Sequence, residues 1–200
     1  VDARIAVLVS GEGTNLQALL DDAVVVPHIT VVCSDRPDAP ALRRATAQGI
    51  EALTMRPEDV GEPGSYDRAL RDLLLDRDVN AIVSAGFMRV LGPEFVTAFA
   101  DRWLNVHPAL LPSFRGATGI ADALAWGVKV TGVTVHLVDE EVDHGPIVRQ
   151  EAVAVRPDDD EASLAARIHE VEHRLLPEAT RALIEGRLTV QGRHVIEEGP

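Results

Sequence analysis

Two hundred residues, 46% hydrophobic and 26% charged, are enough for a sizeable buried core and too ordinary in composition for a disordered chain. A formal net charge of −13 and a pI near 4.9 argue against gripping nucleic acid or an anionic membrane through the overall field, though a local anion site at a helix start stays open. The single cysteine, Cys33, sits in an apolar run and excludes a disulfide framework or a cysteine-rich metal site; no apolar stretch reaches spanning length and "VDARIAVLVSGEG" does not fit a signal peptide, so the expectation is a cytoplasmic chain with a packed core thiol.

"RIAVLVS" at 4–10 reads as a short buried strand, and "VSGEGTNLQALL" places Gly11 and Gly13 directly after it and before a helix. Glycines there let backbone approach a ligand, free N–H groups attract an anion, and Thr14 and Asn15 can add side-chain hydrogen bonds. The same turn is also used purely for geometry. A dinucleotide reading wants a small residue where Leu16 stands, although Asp35 follows the second strand at a distance suited to a ribose.

The next runs, "HITVVCS" (28–34), "NAIVSAG" (80–86) and "RWLNVHP" (102–108), also read as strands, separated by helical patterns in "APALRRATAQG" (39–49) and "SYDRALRDLLLDR" (65–77). Apolar, β-branched runs alternating with helices predict an α/β fold, a doubly wound, mostly parallel, Rossmann-like sheet covered on both faces. In "LNVHPALLP" Asn105 and His107 share one strand face, and Pro108, without an N–H, is a place for the strand to end. Taken alone, this reads as a strand end whose polar groups find backbone partners.

Beyond about residue 128 the rhythm changes. "VKVTGVTVHLV" and "GPIVRQEAVAV" are strand-like runs joined by the acidic "DEEVDH", too short for a crossover helix, so they are expected to be antiparallel. A long C-terminal helix follows over 160–186, with Asp158 to Asp160 suited to its start, a kink expected at Pro177 and Gly186 as its stop. Within it His169-Glu170-Val171-Glu172-His173 matches H-E-x-x-H. Two such histidines could share a zinc, with Glu178, Glu185 or His194 as nominal third ligands, or form a polar stripe on an amphipathic helix. No H-x-x-G-x-x-H continuation follows, and the stripe is the reading adopted.

The carboxyl ends of the parallel strands bring the glycine turn, "GFMRVL" (86–91) and Asn105 with His107 to one edge. A carboxylate from the acidic connection, Asp139 to Asp143, would favour imidazolium at His107, and the Asn105 amide could donate to a developing oxyanion; that trio suits attack of an amine on a carbonyl carbon. The connection also reads as a solvated hairpin turn.

With "SGEGTNLQAL" (10–19), "AGFMRVL" (85–91), "LNVHPALLPSF" (104–114), "TGVTVHLVDEEVDHGPI" (131–147) and "RIHEVEHRLLP" (167–177), the sequence resembles the phosphoribosylglycinamide formyltransferase family of folate-dependent enzymes over nearly its whole length. The resemblance implies one formyltransferase domain over 1–200 that moves a formyl group from 10-formyltetrahydrofolate to the amine of glycinamide ribonucleotide, with no metal. It implies that Asn105 and protonated His107 stabilise the oxyanion and that Asp143 holds His107 charged and assists the departing proton. It further implies that Gly13, Thr14 and Asn15 hold the substrate phosphate, with Glu172 on the ribose side. The reduced folate would sit against Met88, Arg89, Val90, Leu91 and Asn105 and the loop from Asp139 to Asp143.

The chain departs from the family pattern "FPGxH" with Arg115 and Thr118, and Pro63 stands where members offer an Arg to the folate tail. Three other readings remain: transfer to a different amine, a noncatalytic folate-binding relative, and an NAD(P)-dependent dehydrogenase. The expected partners are small molecules, not nucleic acid or membrane, and a homodimer is compatible with the sequence.

Overall fold

Every position of β1 (Ile5–Val9) is buried, and a strand apolar on both sides has to lie inside a sheet with both faces covered. The computed structural model, which describes residues 2–61 and 65–199, places it there. β2 (Ile29–Ser34), β3 (Glu51–Thr54), β4 (Ala81–Ser84) and β5 (Trp103–His107) join β1 in parallel, in the order β3-β2-β1-β4-β5. The sheet continues antiparallel through β6 (Val130–Leu137) and β7 (Ile147–Ala154), as the short acidic connection requires, and ends in a hairpin of β8 (Leu188–Gln191) and β9 (His194–Glu197).

Alternate residues of β1 enter two separate cores. Ile5, Val7 and Val9 pack with α1 (Thr14–Leu20), α2 (Pro40–Ala47) and α6 (Glu161–Ile184) through Leu16, Ala41 and Ile168. Ala6 and Leu8 pack with α3 (Ser65–Leu75) and α4 (Pro93–Ala98) through Leu70, Leu74 and Phe95. α5 (Gly119–Trp126) lies on the α6 side through Ile120 and Leu124. The chain runs outward from β1 to β3, then returns across it to β4, so the strand order reverses beside β1 and opens a crevice at the carboxyl ends.

The expected boundaries of α6 are reproduced by specific hydrogen bonds. The Asp160 side chain accepts from the Ser163 N–H at 2.8 Å, while the Ser163 hydroxyl accepts from the Asp160 N–H at 3.1 Å. At the other end Gly186, with φ 67°, turns the chain so that Arg187 N–H donates to the Ala182 carbonyl at 3.0 Å. The helix runs continuously through the buried Pro177. Cys33 is a buried thiol in the α3 and α4 core, and burial pushes it up to about 12. Among the described residues no helix is long and apolar enough to cross a membrane. Pro63 lies outside the described residues.

α6 is tied to the turn after α1 by an ion pair between the half-exposed Arg181 guanidinium and the buried Asp22 carboxylate. The Asp22 carboxylate accepts from the Val24 and Val25 N–H groups at 3.0 and 3.1 Å and from Arg181 Nε at 2.7 Å. Burial alone would raise the Asp22 carboxyl; the Arg181 bond and the backbone donors outweigh it and hold the group below its ordinary value. A depressed carboxyl contributes stability above its unfolded value near 3.9 that is lost as pH falls through the folded one. Asp22→Ala should therefore cost about 2 kcal/mol at pH 7 in urea unfolding, with the deficit shrinking below roughly pH 4. A pH-independent deficit, or none, would refute this account.

Candidate active site

β5 ends at His107 because Pro108 follows, and its last residues stand at the sheet's switch point: Asn105 lies between Ser84 of β4 and His136 of β6. His107 is buried, and both ring nitrogens face acceptors. Nε2–H donates to the Phe114 carbonyl at 2.8 Å, while Nδ1 is 3.3 Å from Asp143 Oδ2. The first contact requires the proton on Nε2, so the second is attractive only when a further proton lies between Nδ1 and the carboxylate. Asn105 Nδ2 donates to His136 Nε2 at 3.1 Å and, at 3.4 Å, to Asp143 Oδ1. His136 can accept there because its Nδ1–H is used by the Leu137 carbonyl at 2.9 Å.

Asp143 thus meets Asn105, His107 and His136, and also accepts from the Gly116 N–H at 2.8 Å. Burial opposes its ionisation, but the Gly116 N–H and the neighbouring His107 imidazole favour it, and the carboxyl lies below its ordinary range. A proton placed between this carboxylate and His107 therefore resides on Nδ1. On the sequence alone the neighbouring carboxylate is expected to hold His107 charged. Instead burial outweighs Asp143 and the Phe114 carbonyl, and the imidazole is held below its usual value. Phe114 and Asp143, which supply the two acceptors, have φ of 53° and 48°, the left-handed region that side chains other than glycine seldom occupy.

A cavity of about 380 Å³ collects most of the sequence-predicted residues: Asn105, His107, Asp139 and Asp143, the segment Met88, Arg89, Val90 and Leu91, and Asn15 with Glu172. Met88 and Val90 stand 59% and 72% exposed at its mouth, apolar surface that a flat ligand could cover. Their segment is fixed from below: the Ser10 hydroxyl donates to Asp35 at 2.6 Å and accepts from the Met88 N–H at 3.0 Å. Asp67 accepts from the Gly92 N–H at 2.6 Å, and the Arg89 guanidinium lies 4.9 Å from the Tyr66 ring centre. Asp35 is thereby occupied as an anchor for the segment.

At the far end Asn15 Nδ2 donates to Glu172 Oε2 at 2.9 Å, joining the start of α1 to α6. Burial pushes the Glu172 carboxyl above its ordinary value against the opposing bond from Asn15. The Asn15 Oδ1 and His173 Nε2 atoms are buried without a hydrogen-bond partner among the described residues. Gly13 adopts φ 75°, and a Cβ there would lie 2.5 Å from Ala41 Cβ, so glycine is required both by the turn and by the approach of α2. Thr14 and His173 face a separate, open groove of about 840 Å³ between α1 and α6 instead of the cavity. The His169 and His173 rings stack with centres 6.2 Å apart, and among the described residues no group of three or more His, Cys, Asp or Glu could hold a metal ion.

Sequence reasoning missed His136, the Phe114 carbonyl and Thr134. The Thr134 hydroxyl donates to the Ala109 carbonyl at 2.7 Å and accepts from the Leu111 N–H at 3.1 Å, holding the loop after β5 against the sheet. The alternation in "TGVTVHLV" carries a signal for His136, since it sits two residues from Thr134 on the same strand face. Arg115 is exposed, and Thr118 donates to Asp122 at 2.8 Å in the first turn of α5.

The Formyl transferase family matches residues 3–180. A phosphoribosylglycinamide formyltransferase of Mycobacterium tuberculosis is 46% identical over 193 residues, which span 96% of this chain and 89% of that protein. The trifunctional purine biosynthetic protein adenosine-3 of Drosophila melanogaster is 44% identical over 92% of this chain, a match covering 14% of that longer protein. The crystal structure of glycinamide ribonucleotide transformylase 1 from Symbiobacterium toebii superposes with a TM-score of 0.94 at 45% identity, covering 98% of this chain and 94% of that one.

The geometry around His107 makes one prediction independent of any ligand. In a histidine-resolved NMR titration its imidazole should titrate below the ordinary value near 6.5, and Asp143→Asn, which removes the favourable charge, should move it lower still. An upward movement in that variant would overturn the assignment of charges.

Proposed function

The chain belongs to the formyl transferase family, and from that premise we propose that it transfers the formyl group of 10-formyltetrahydrofolate to the amine of glycinamide ribonucleotide, a step of purine biosynthesis. The observation that carries the reading is the contact of Asp143 with both Asn105 and His107 beside an exposed apolar segment. The amine attacks the formyl carbon, and the carbonyl oxygen becomes an oxyanion that needs two donors. Those donors are His107 Nδ1–H, present in the protonated imidazole that the developing negative charge favours, and Asn105 Nδ2, both of which face Asp143; the 3.4 Å bond from Asn105 is the weaker to exchange. Once an oxyanion takes over the donors, Asp143 is free to accept the proton leaving the amine, directly or through water; collapse of the intermediate then breaks the bond between the formyl carbon and folate N10, which takes up that proton and leaves as tetrahydrofolate.

Binding follows the same division. Met88, Arg89, Val90, Leu91, Asn105, Asp139 and Asp143 hold the folate. Gly13, Thr14 and Asn15 hold the ribonucleotide phosphate, and Glu172 receives a ribose hydroxyl. Support for the last role is that Glu172 is buried and carries an elevated carboxyl, which favours a neutral hydrogen-bonding group over a cation. The Asp139 carboxylate is used within its own loop by Glu141 N–H at 3.0 Å and His144 at 2.7 Å, so its contact with folate is a backbone one. We also propose that residues 1–200 act as one cytoplasmic domain on small molecules alone, without metal, nucleic acid or membrane, and that any self-association is as a homodimer.

The test is formation of deformylated folate with each substrate omitted in turn. Product that requires both substrates is expected; product without the ribonucleotide would make the protein a deformylase, and none would leave a different acceptor or a folate-binding protein. His107→Ala and Asp143→Ala should each lower turnover at least about a hundredfold with the fold intact by circular dichroism. Near-normal turnover in either would remove that residue from the mechanism.

A further inference from the structure

We propose that Arg193, at the tip of the β8–β9 hairpin, is a positioning residue that clamps the loop carrying Asp143 through His144. The proposal rests on the reading above only in giving Asp143 a part in the reaction.

The loop between β6 and β7 is closed at its base, where Leu137 N–H donates to the Pro146 carbonyl at 2.9 Å. Gly145 admits the close turn, since a Cβ there would lie 1.8 Å from the Leu137 carbonyl oxygen. Inside the loop His144 Nδ1 is 2.7 Å from Asp139 Oδ2, so Nδ1 carries the proton and Nε2 presents a lone pair. Arg193 Nη1 donates to that Nε2 at 3.1 Å, and its Nη2 donates to the His144 carbonyl at 2.5 Å. One planar guanidinium thus fixes both the ring and the backbone of the residue that follows Asp143.

The register brings the two together. β7 and β9 are parallel with Ile147 opposite His194, so the hairpin turn at Gly192 and Arg193 lies beside the segment entering β7. Asp143 has φ 48°, a conformation that persists only where the surroundings dictate it. Asn105, His107 and Gly116 hold its side chain, and Arg193 holds the carbonyl of the next residue, His144. Among the described residues the charged or titratable groups around the His144 ring are Asp139, Glu141 at 4.0 Å and Arg193, and of these Arg193 alone comes from outside the loop.

Hydrogen exchange and steady-state kinetics on the full chain test the clamp. Arg193→Ala should speed exchange of the amides in 138–145 by about tenfold or more and leave those of β1 and α6 unchanged. The KM for 10-formyltetrahydrofolate should rise at least about fivefold, with the KM for the ribonucleotide within roughly twofold of wild type. Arg193→Lys, which can reach the carbonyl but cannot span both acceptors, should fall between. Unchanged exchange in Arg193→Ala would overturn the clamp. The exchange experiment needs no turnover: a faster loop in a protein that transfers no formyl group upholds the clamp and defeats the functional reading, whereas unchanged exchange in an active enzyme does the reverse.

Discussion

Two acceptors facing one buried imidazole are the constraint around which the site is built. The Phe114 carbonyl and the Asp143 carboxylate lie 2.8 and 3.3 Å from the two nitrogens of His107, so the ring is aimed and its proton count tied to that of Asp143. The arrangement is costly locally. Burial opposes the charge on His107, and both acceptor residues have positive φ, worth of order 1–3 kcal/mol each in other proteins. Such a configuration persists only if the surrounding chain leaves it no alternative.

The surrounding chain supplies that constraint from three directions. The segment after β5 is pinned to β6 by the Thr134 hydroxyl, which serves both the Ala109 carbonyl and the Leu111 N–H. The β6–β7 loop folds back over β5, and the Gly116 N–H of the first segment donates to Asp143 of the second, so each strained loop is held by the other. Between them His136, with its own proton committed to the Leu137 carbonyl, keeps a lone pair for Asn105. Asn105 is thereby turned toward the carboxylate by a neighbour that competes for no proton. Pre-organisation here is a set of donors with nowhere else to point.

What was legible in the sequence follows from how local each signal is. The buried strands β1, β2, β4 and β5 announce themselves by continuous apolar runs, and the ends of α6 by Asp160 and Gly186. β3 did not, because an edge strand with exposed Glu51 and Thr54 has only one neighbour to satisfy and little apolar pattern. α4 has six residues, too few for periodicity to show, and the β8–β9 hairpin is largely solvent-facing. Within the site, side chains could be nominated from motifs, whereas the Phe114 carbonyl could not. A backbone acceptor has no residue type, and its aim depends on a positive φ that phenylalanine does not advertise.

Two motifs that suggested other chemistries show how a residue's partner, more than its spacing, settles its part. Asp35 stands where an acidic side chain could hold a ribose, yet the Ser10 hydroxyl donates to it at 2.6 Å and, so oriented, receives the Met88 N–H. The carboxylate therefore sets the height of the apolar segment at the cavity mouth. In H-E-x-x-H the histidines stack on each other, and the carboxylate turned inward is Glu172, three residues after His169, instead of the Glu170 a zinc motif would use. Helical spacing puts Glu172 on the face that meets α1, where Asn15 is waiting; Glu170 is exposed. The same five residues thus present an acid of raised pKa beside an amide, a pair suited to hydrogen-bonding a neutral polyol, and the pattern that resembled a metal site is explained by which side of the helix faces the core.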